Sequence, residues 1–195
     1  MKKIVLFLGI IFCVQTNAQS SKQEEGIVLG IKGGLNMSNF MGDVENQSMR
    51  TSVHFGFLAE IIVSDKFSVQ PELLYSGQGY SGGQTSGGFS RSKYDYINLP
   101  ILAKIYVAKK ISVEAGPQIG FLISAKQTTE NDNVSIPDQK KVDLGLNFGL
   151  AYDLKNRMFF QTRYNLGLSN VNSGSNANAI KYTNSVIQLS VGVNF

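Results

Sequence analysis

Eight stretches of this chain set apolar side chains at every second position, and none of their apolar faces carries Asp, Glu, Lys or Arg. A period of two means extended strands with one greasy and one polar face. The last stretch is the clearest: Ile187, Leu189, Val191, Val193 and Phe195 alternate with Gln188, Ser190, Gly192 and Asn194 up to the final residue. Seven others precede it, at 27–38, 53–63, 67–78, 97–105, 111–123, 142–153 and 158–169. Their polar faces hold Lys32, Glu60, Glu72, Lys104, Glu114, Asp143, Asp153 and Arg163. In a chain that is 16% charged, such sorting needs a cause. Lipid supplies one, because a basic side chain facing mid-bilayer costs about 2–4 kcal/mol. A water-soluble barrel would sort its charges to the other face.

Hydrocarbon offers no partner to an unpaired backbone, so strands cross a membrane only as a closed barrel. The apolar run Ile4–Val14 is too short for a spanning helix, which needs about 20 residues. The expectation is an eight-stranded antiparallel up-and-down transmembrane β-barrel. The connections agree. Short gaps at 64–66, 106–110 and 154–157 alternate with long ones at 39–52, 79–93, 124–141 and 170–184. Barrels of bacterial outer membranes have short periplasmic turns and longer external loops. With both termini periplasmic, every long gap falls outside, where an extracellular ligand or protein would be met.

The N-terminus reads as an export signal. Lys2 and Lys3 precede the apolar run, and Thr16-Asn17-Ala18 offers a small-residue cleavage site. The expected division is a signal peptide over 1–18 and a barrel domain over 19–195. Cys13, the one cysteine, lies in the apolar run without the small residues before it that a lipoprotein site requires. The mature chain then has no disulfide. Losing Lys2 and Lys3 lowers the net charge from +4 to +2, and no basic cluster with interleaved aromatics is present, so nucleic-acid binding is not indicated. Pro71, Pro100 and Pro117 fall within strands and each removes a ladder donor. Bulges or broken pairing are expected around them.

Chemistry-bearing residues are few. His54 is the only histidine and lies on a polar face, where a structural lumen or rim role outweighs a catalytic one. A zinc site would lack both cysteine and a second histidine, and no Gly-x-Ser-x-Gly elbow occurs. The Gly/Ser-rich 81–88 lacks the features of a phosphate loop, and Asn131-Asp132-Asn133 lacks those of a calcium loop. No catalytic residue, cofactor or metal is expected. Glu72, Lys104, Glu114 and Arg163 face inward from four strands, and burial inside a narrow barrel demands that they pair. The interior of an eight-stranded barrel is about wide enough for side chains to fill. This favours a charged plug over the alternative, a narrow porin-like solute channel. A lipid-modifying barrel enzyme is the third reading. A soluble lipocalin-type barrel is disfavoured by the inward charges and the absence of Trp.

Several segments carry a resemblance: Val69-Gln70-Pro71-Glu72-Leu73-Leu74-Tyr75-Ser76, Ile97-Asn98-Leu99-Pro100-Ile101-Leu102-Ala103-Lys104 and Glu114-Ala115-Gly116-Pro117-Gln118-Ile119-Gly120. Arg163-Tyr164-Asn165-Leu166-Gly167-Leu168 and Val193-Asn194-Phe195 add to it. The chain resembles the small outer-membrane β-barrel proteins of Bacteroidota, of the porin-family or PorT-like kind, with an OmpA/OmpX-type barrel. Asn98 stands where that resemblance leads one to expect Glu. The resemblance implies an outer-membrane address, prolines as a regular feature, and Phe195 with its alternating partners as the signal read by the barrel-insertion machinery. Lipid is the expected surrounding, the expected state is a monomer, and no enzymatic activity is implied.

Overall fold

The computed structural model describes residues 26–42, 47–85, 88–128, 133–136, 139–170 and 182–195. The expected signal peptide over 1–18 lies outside them. The strands are β1 (Ile27–Gly42), β2 (Gln47–Ser64), β3 (Phe67–Thr85), β4 (Gly88–Ala108), β5 (Ile111–Thr128), β6 (Asn133–Ser135), β7 (Val142–Asp153), β8 (Met158–Gly167) and β9 (Tyr182–Asn194). Each long strand pairs antiparallel with the next, and β9 pairs with β1 from Gly30↔Asn194 to Gly42↔Tyr182. The eight long strands thus form a closed barrel. Short β6 sits outside the ring, on the outer end of β5.

The barrel is inside out relative to a soluble domain. Phe57 is 63% exposed, and Phe55, Ile101, Ile123, Phe148, Leu150 and Phe160 project outward with it. Arg163 is 2% exposed, and Lys32, Glu60, Glu72, Lys104 and Glu114 are buried with it in the lumen. On β2 the outward apolar series runs from Val53 to Val63. At about 3.3 Å per residue and a tilt of about 40°, it spans about 25 Å, the height of an outer-membrane apolar band. By the same reckoning β4, with its 21 residues, reaches about 50 Å and must stand well clear of that band.

This corrects the expected loops. The gaps 39–52 and 79–93 are strand over most of their length, and Gly77 to Gly82 pair residue for residue with Asp95 to Ser90. In 124–141, β5 continues to Thr128 and β6 adds a short return, while most of 170–184 lies outside the described residues. Apolar alternation marks a strand only where one face meets lipid. Beyond the band the outward face is mixed and largely polar, with Asn39, Gly79, Arg91, Lys93 and Lys126 beside Met41, so the pairing continues while its signature stops.

The prolines are accommodated without a bulge. Between β3 and β4 the paired positions jump from Pro71↔Ile101 to Leu74↔Asn98, and between β4 and β5 from Pro100↔Gln118 to Ala103↔Ala115. Register is unchanged across both gaps, so the ladders are interrupted rather than shifted. Pro117 keeps its place opposite Leu146 on β7. The actual register shifts lie elsewhere, including one between Met49 and His54 and one at Asp95/Tyr96. Some inward glycines serve close approach of backbones. A Cβ at Gly34 would strike the Leu189 carbonyl, and one at Gly116 the Ile101 carbonyl.

Candidate functional site: the polar lumen

Inward side chains from all sides of the barrel meet in tiers stacked from the turn end upward. Nearest the turns, Glu60 accepts from Lys104 Nζ at 3.0 Å, Ser68 Oγ at 2.6 Å and Tyr106 Oη at 2.7 Å. Lys104 also sits 5.1 Å above the Tyr106 ring.

The next tier is the largest. Arg163 grips Glu72 with two parallel bonds, Nη1 to Oε2 at 2.8 Å and Nη2 to Oε1 at 2.9 Å. This fork is the strongest geometry available to a carboxylate. Arg163 Nη2 also reaches Glu114 Oε2 at 3.3 Å. Lys32 Nζ lies 2.8 Å from Glu72 Oε2 and donates to Gln161 Oε1 at 2.7 Å. Gln161 in turn donates to Glu114 Oε2, and Gln70 to Glu72 Oε1, each at 2.7 Å. Two cations and two anions from β1, β3, β5 and β8 therefore form one neutral cluster across the lumen. Gly149 borders it: a Cβ there would stand 2.9 Å from the Thr162 carbonyl and 3.4 Å from Glu114 Oε2.

Above it, His54 Nδ1 lies 2.7 Å from Asn36 Oδ1 and Nε2 lies 2.7 Å from Ser190 Oγ. Asn36 Nδ2 donates to Gly77 O at 2.7 Å and Ser76 Oγ at 3.0 Å, which fixes its Oδ1 toward the imidazole. Nδ1 then carries the proton and Nε2 accepts from the serine hydroxyl. The order serine–histidine–asparagine is that of a nucleophile, its base and an orienting group. The surroundings differ from those of a working triad. Asn36, His54 and Ser190 are 0%, 1% and 6% exposed, and Ser190 lies within ladders to both Gly34 and Gln161. Its backbone is committed to the wall.

Highest in the lumen, Asn184 donates to Asp143 Oδ2 at 2.7 Å, and Phe40, Tyr94 and Tyr96 form an apolar cap with Tyr80 and Leu122. The Phe40 ring is 5.2 Å from Tyr80 and 5.3 Å from Tyr94. No group of three or more potential metal ligands occurs among the described residues.

Of the four lumen charges expected to pair, Glu72, Glu114 and Arg163 come together. Lys104 does not join them. It stands opposite Glu114 in the ladder, yet its ammonium turns to Glu60. Sequence reasoning missed Lys32 and Gln161 as members, although the inward register of β1 and β8 already carried both. Phe195 points outward as expected, 62% exposed, with its backbone N–H donating to Leu29 O at 2.8 Å.

Residues 17–173 match the family described as outer membrane protein beta-barrel domain. The chain belongs to that family. Its address is therefore the bacterial outer membrane, in keeping with the charge-free apolar band around the barrel. No curated protein matches the sequence. Among solved structures, the chain is similar to Neisserial surface protein A, at 12% identity and a TM-score of 0.59, covering 88% of this chain and 100% of that one. It is likewise similar to Ail, the attachment invasion locus protein of Yersinia pestis, at 13% identity and a TM-score of 0.50, covering 88% and 99%. At such identities the likeness is one of fold.

Proposed function

We propose that this is a sealed, non-enzymatic barrel that acts in a structural or surface-interaction role through its long hairpins. The observation that carries the reading is the cluster of Arg163, Glu72, Lys32, Glu114 and Gln161, which ties four strands together across the lumen. A narrow barrel whose cross-section is filled by ion pairs is braced rather than open. The tall β3–β4 hairpin and the rim segments 39–52, 124–141 and 170–184 then supply the variable content, facing the cell surface with both termini in the periplasm.

The finer reading places the chain with the porin-family or PorT-like barrels of Bacteroidota, exported by a signal peptide over 1–18 and inserted as a monomer. Phe195 and its alternating partners serve as the signal for the insertion machinery. The absence of catalysis is supported by the burial of Ser190 and its place in two ladders.

Planar-bilayer conductance tests the seal. The native barrel should be silent, and Glu72→Gln or Arg163→Ala should introduce conducting events. Steady conductance of the native protein would favour the narrow solute channel instead. Deleting 79–93 should remove surface binding while leaving a heat-modifiable barrel on gels.

A further inference from the structure

The outward surface at the hairpin end is unevenly charged. On β4 and β5, Lys93 and Lys126 are direct cross-strand partners, and both point outward, because their chain neighbours Tyr94 and Ala125 pack inward against the aromatic cap. Arg91 lies two residues above Lys93 on the same face, opposite Thr128. Like charges directly opposite each other destabilise a sheet. Exposed Lys140 and Lys141 continue the arc, the Lys141 carbonyl accepting from Leu122 N on β5 at 2.8 Å. On the β3 side, Lys93 faces Gly79, which has no side chain to offer it.

Among the described residues, the carboxylate on this face is Asp95, and it is already engaged. It accepts from Tyr75 Oη at 2.9 Å and feels the charge of Arg50. The opposite arc of the rim is built differently, with exposed Met41 and Met49 and with Tyr164 donating to Met41 Sδ at 3.5 Å. The height of the basic arc is informative. Ile97 and Ile123 are the last apolar outward residues beneath it, and Lys93 and Lys126 stand about 5–10 Å above them. That is the depth of the lipid headgroups.

We infer that Lys93 and Lys126, flanked by Arg91, Lys140 and Lys141, clamp the phosphate groups of a phosphorylated glycolipid of the outer leaflet. A phosphate oxygen between the two ammonium groups turns a repulsive cross-strand pair into a bridged one, while the acyl chains lie against Ile97, Leu99, Phe121 and Ile123 below. The inference rests on the reading that the hairpin end faces the cell surface. Labelling of the β3–β4 hairpin on intact cells tests that orientation separately.

The test uses the full barrel in nanodiscs, titrated with bisphosphorylated lipid A and with its dephosphorylated form. The native protein should prefer the phosphorylated lipid. Lys93→Gln with Lys126→Gln should weaken that binding about fivefold per lysine, or about 25-fold together. The Arg pair at the same positions should retain it. Lys109→Gln with Lys110→Gln, in a turn at the other end, should leave it unchanged. Heat-modifiable migration confirms folding of each variant. Equal binding of the two lipids by the native protein would overturn the clamp, as would a folded Gln pair with undiminished binding. Competition by inorganic phosphate with no preference between the lipids would overturn it too.

Discussion

Replacing Arg163 by Met tests whether the lumen cluster holds the barrel together. In the native protein Lys32 and Arg163 balance Glu72 and Glu114, so the cluster is neutral. Arg163→Met keeps much of the volume but leaves two carboxylates facing one ammonium. Glu72 retains Lys32 and Gln70, whereas Glu114 retains only the Gln161 amide at 2.7 Å. Breaking a buried pair in this way costs about 3–5 kcal/mol. Glu114→Gln alone costs less, about 1–3 kcal/mol, because Arg163 keeps its two bonds to Glu72. Combined, the substitutions restore neutrality, and the double variant should be more stable than the sum of the singles by about 1–3 kcal/mol. The assay is reversible urea unfolding in lipid vesicles followed by gel mobility, with unchanged dependence on urea as the sign that the unfolded reference is common. Additivity of the two effects to within about 0.5 kcal/mol would refute the claim that these groups act as one unit.

Phe195→Ala, or deletion of the residue, should reduce assembled barrel in membranes before it alters any surface property; unchanged assembly would remove its role as an insertion signal. Gly116→Val should abolish heat-modifiable folding, since a side chain there collides with the Ile101 carbonyl, and a folded variant would show that β4 and β5 can separate. Ser190 should stay unlabelled by a fluorophosphonate that labels exposed serine nucleophiles, whereas labelling lost in His54→Ala would reopen the catalytic reading.

The barrel itself was legible because lipid writes a strict rule along each strand: Phe55, Phe57 and Ile61 out, His54, Leu58 and Glu60 in. The partners inside were less legible. The sequence put Lys104 and Glu114 in one set of inward charges that must pair, and the two face each other across one ladder. Which charges meet across a lumen depends on how far each strand is staggered around the ring, and that stagger brings Lys104 to Glu60 on β2 instead. The same cause hides the contact of Ser190 with His54, 136 positions apart in the chain. The extent of the hairpins was illegible for a different reason. Above the membrane the outward face meets water and carries Lys93 and Lys126, while the apolar side chains Phe40, Tyr94 and Tyr96 turn inward. The apolar face changes sides, and the lipid-facing pattern ends.

The interrupted ladders at Pro71 and Pro100 give the wall a soft line. Interstrand hydrogen bonds act as the hoops of a barrel, resisting any change in its girth. Between β5 and β1, by way of β7, β8 and β9, they are continuous, but β2–β3, β3–β4 and β4–β5 each miss neighbouring pairs beside these prolines, at adjacent places in the wall. A thicker or more compressed bilayer loads all eight strands, and the strain gathers where the hoops are fewest. Flexing of this protein in its membrane is therefore expected on one side, that of β2 to β5, while the β1–β9 closure opposite stays taut.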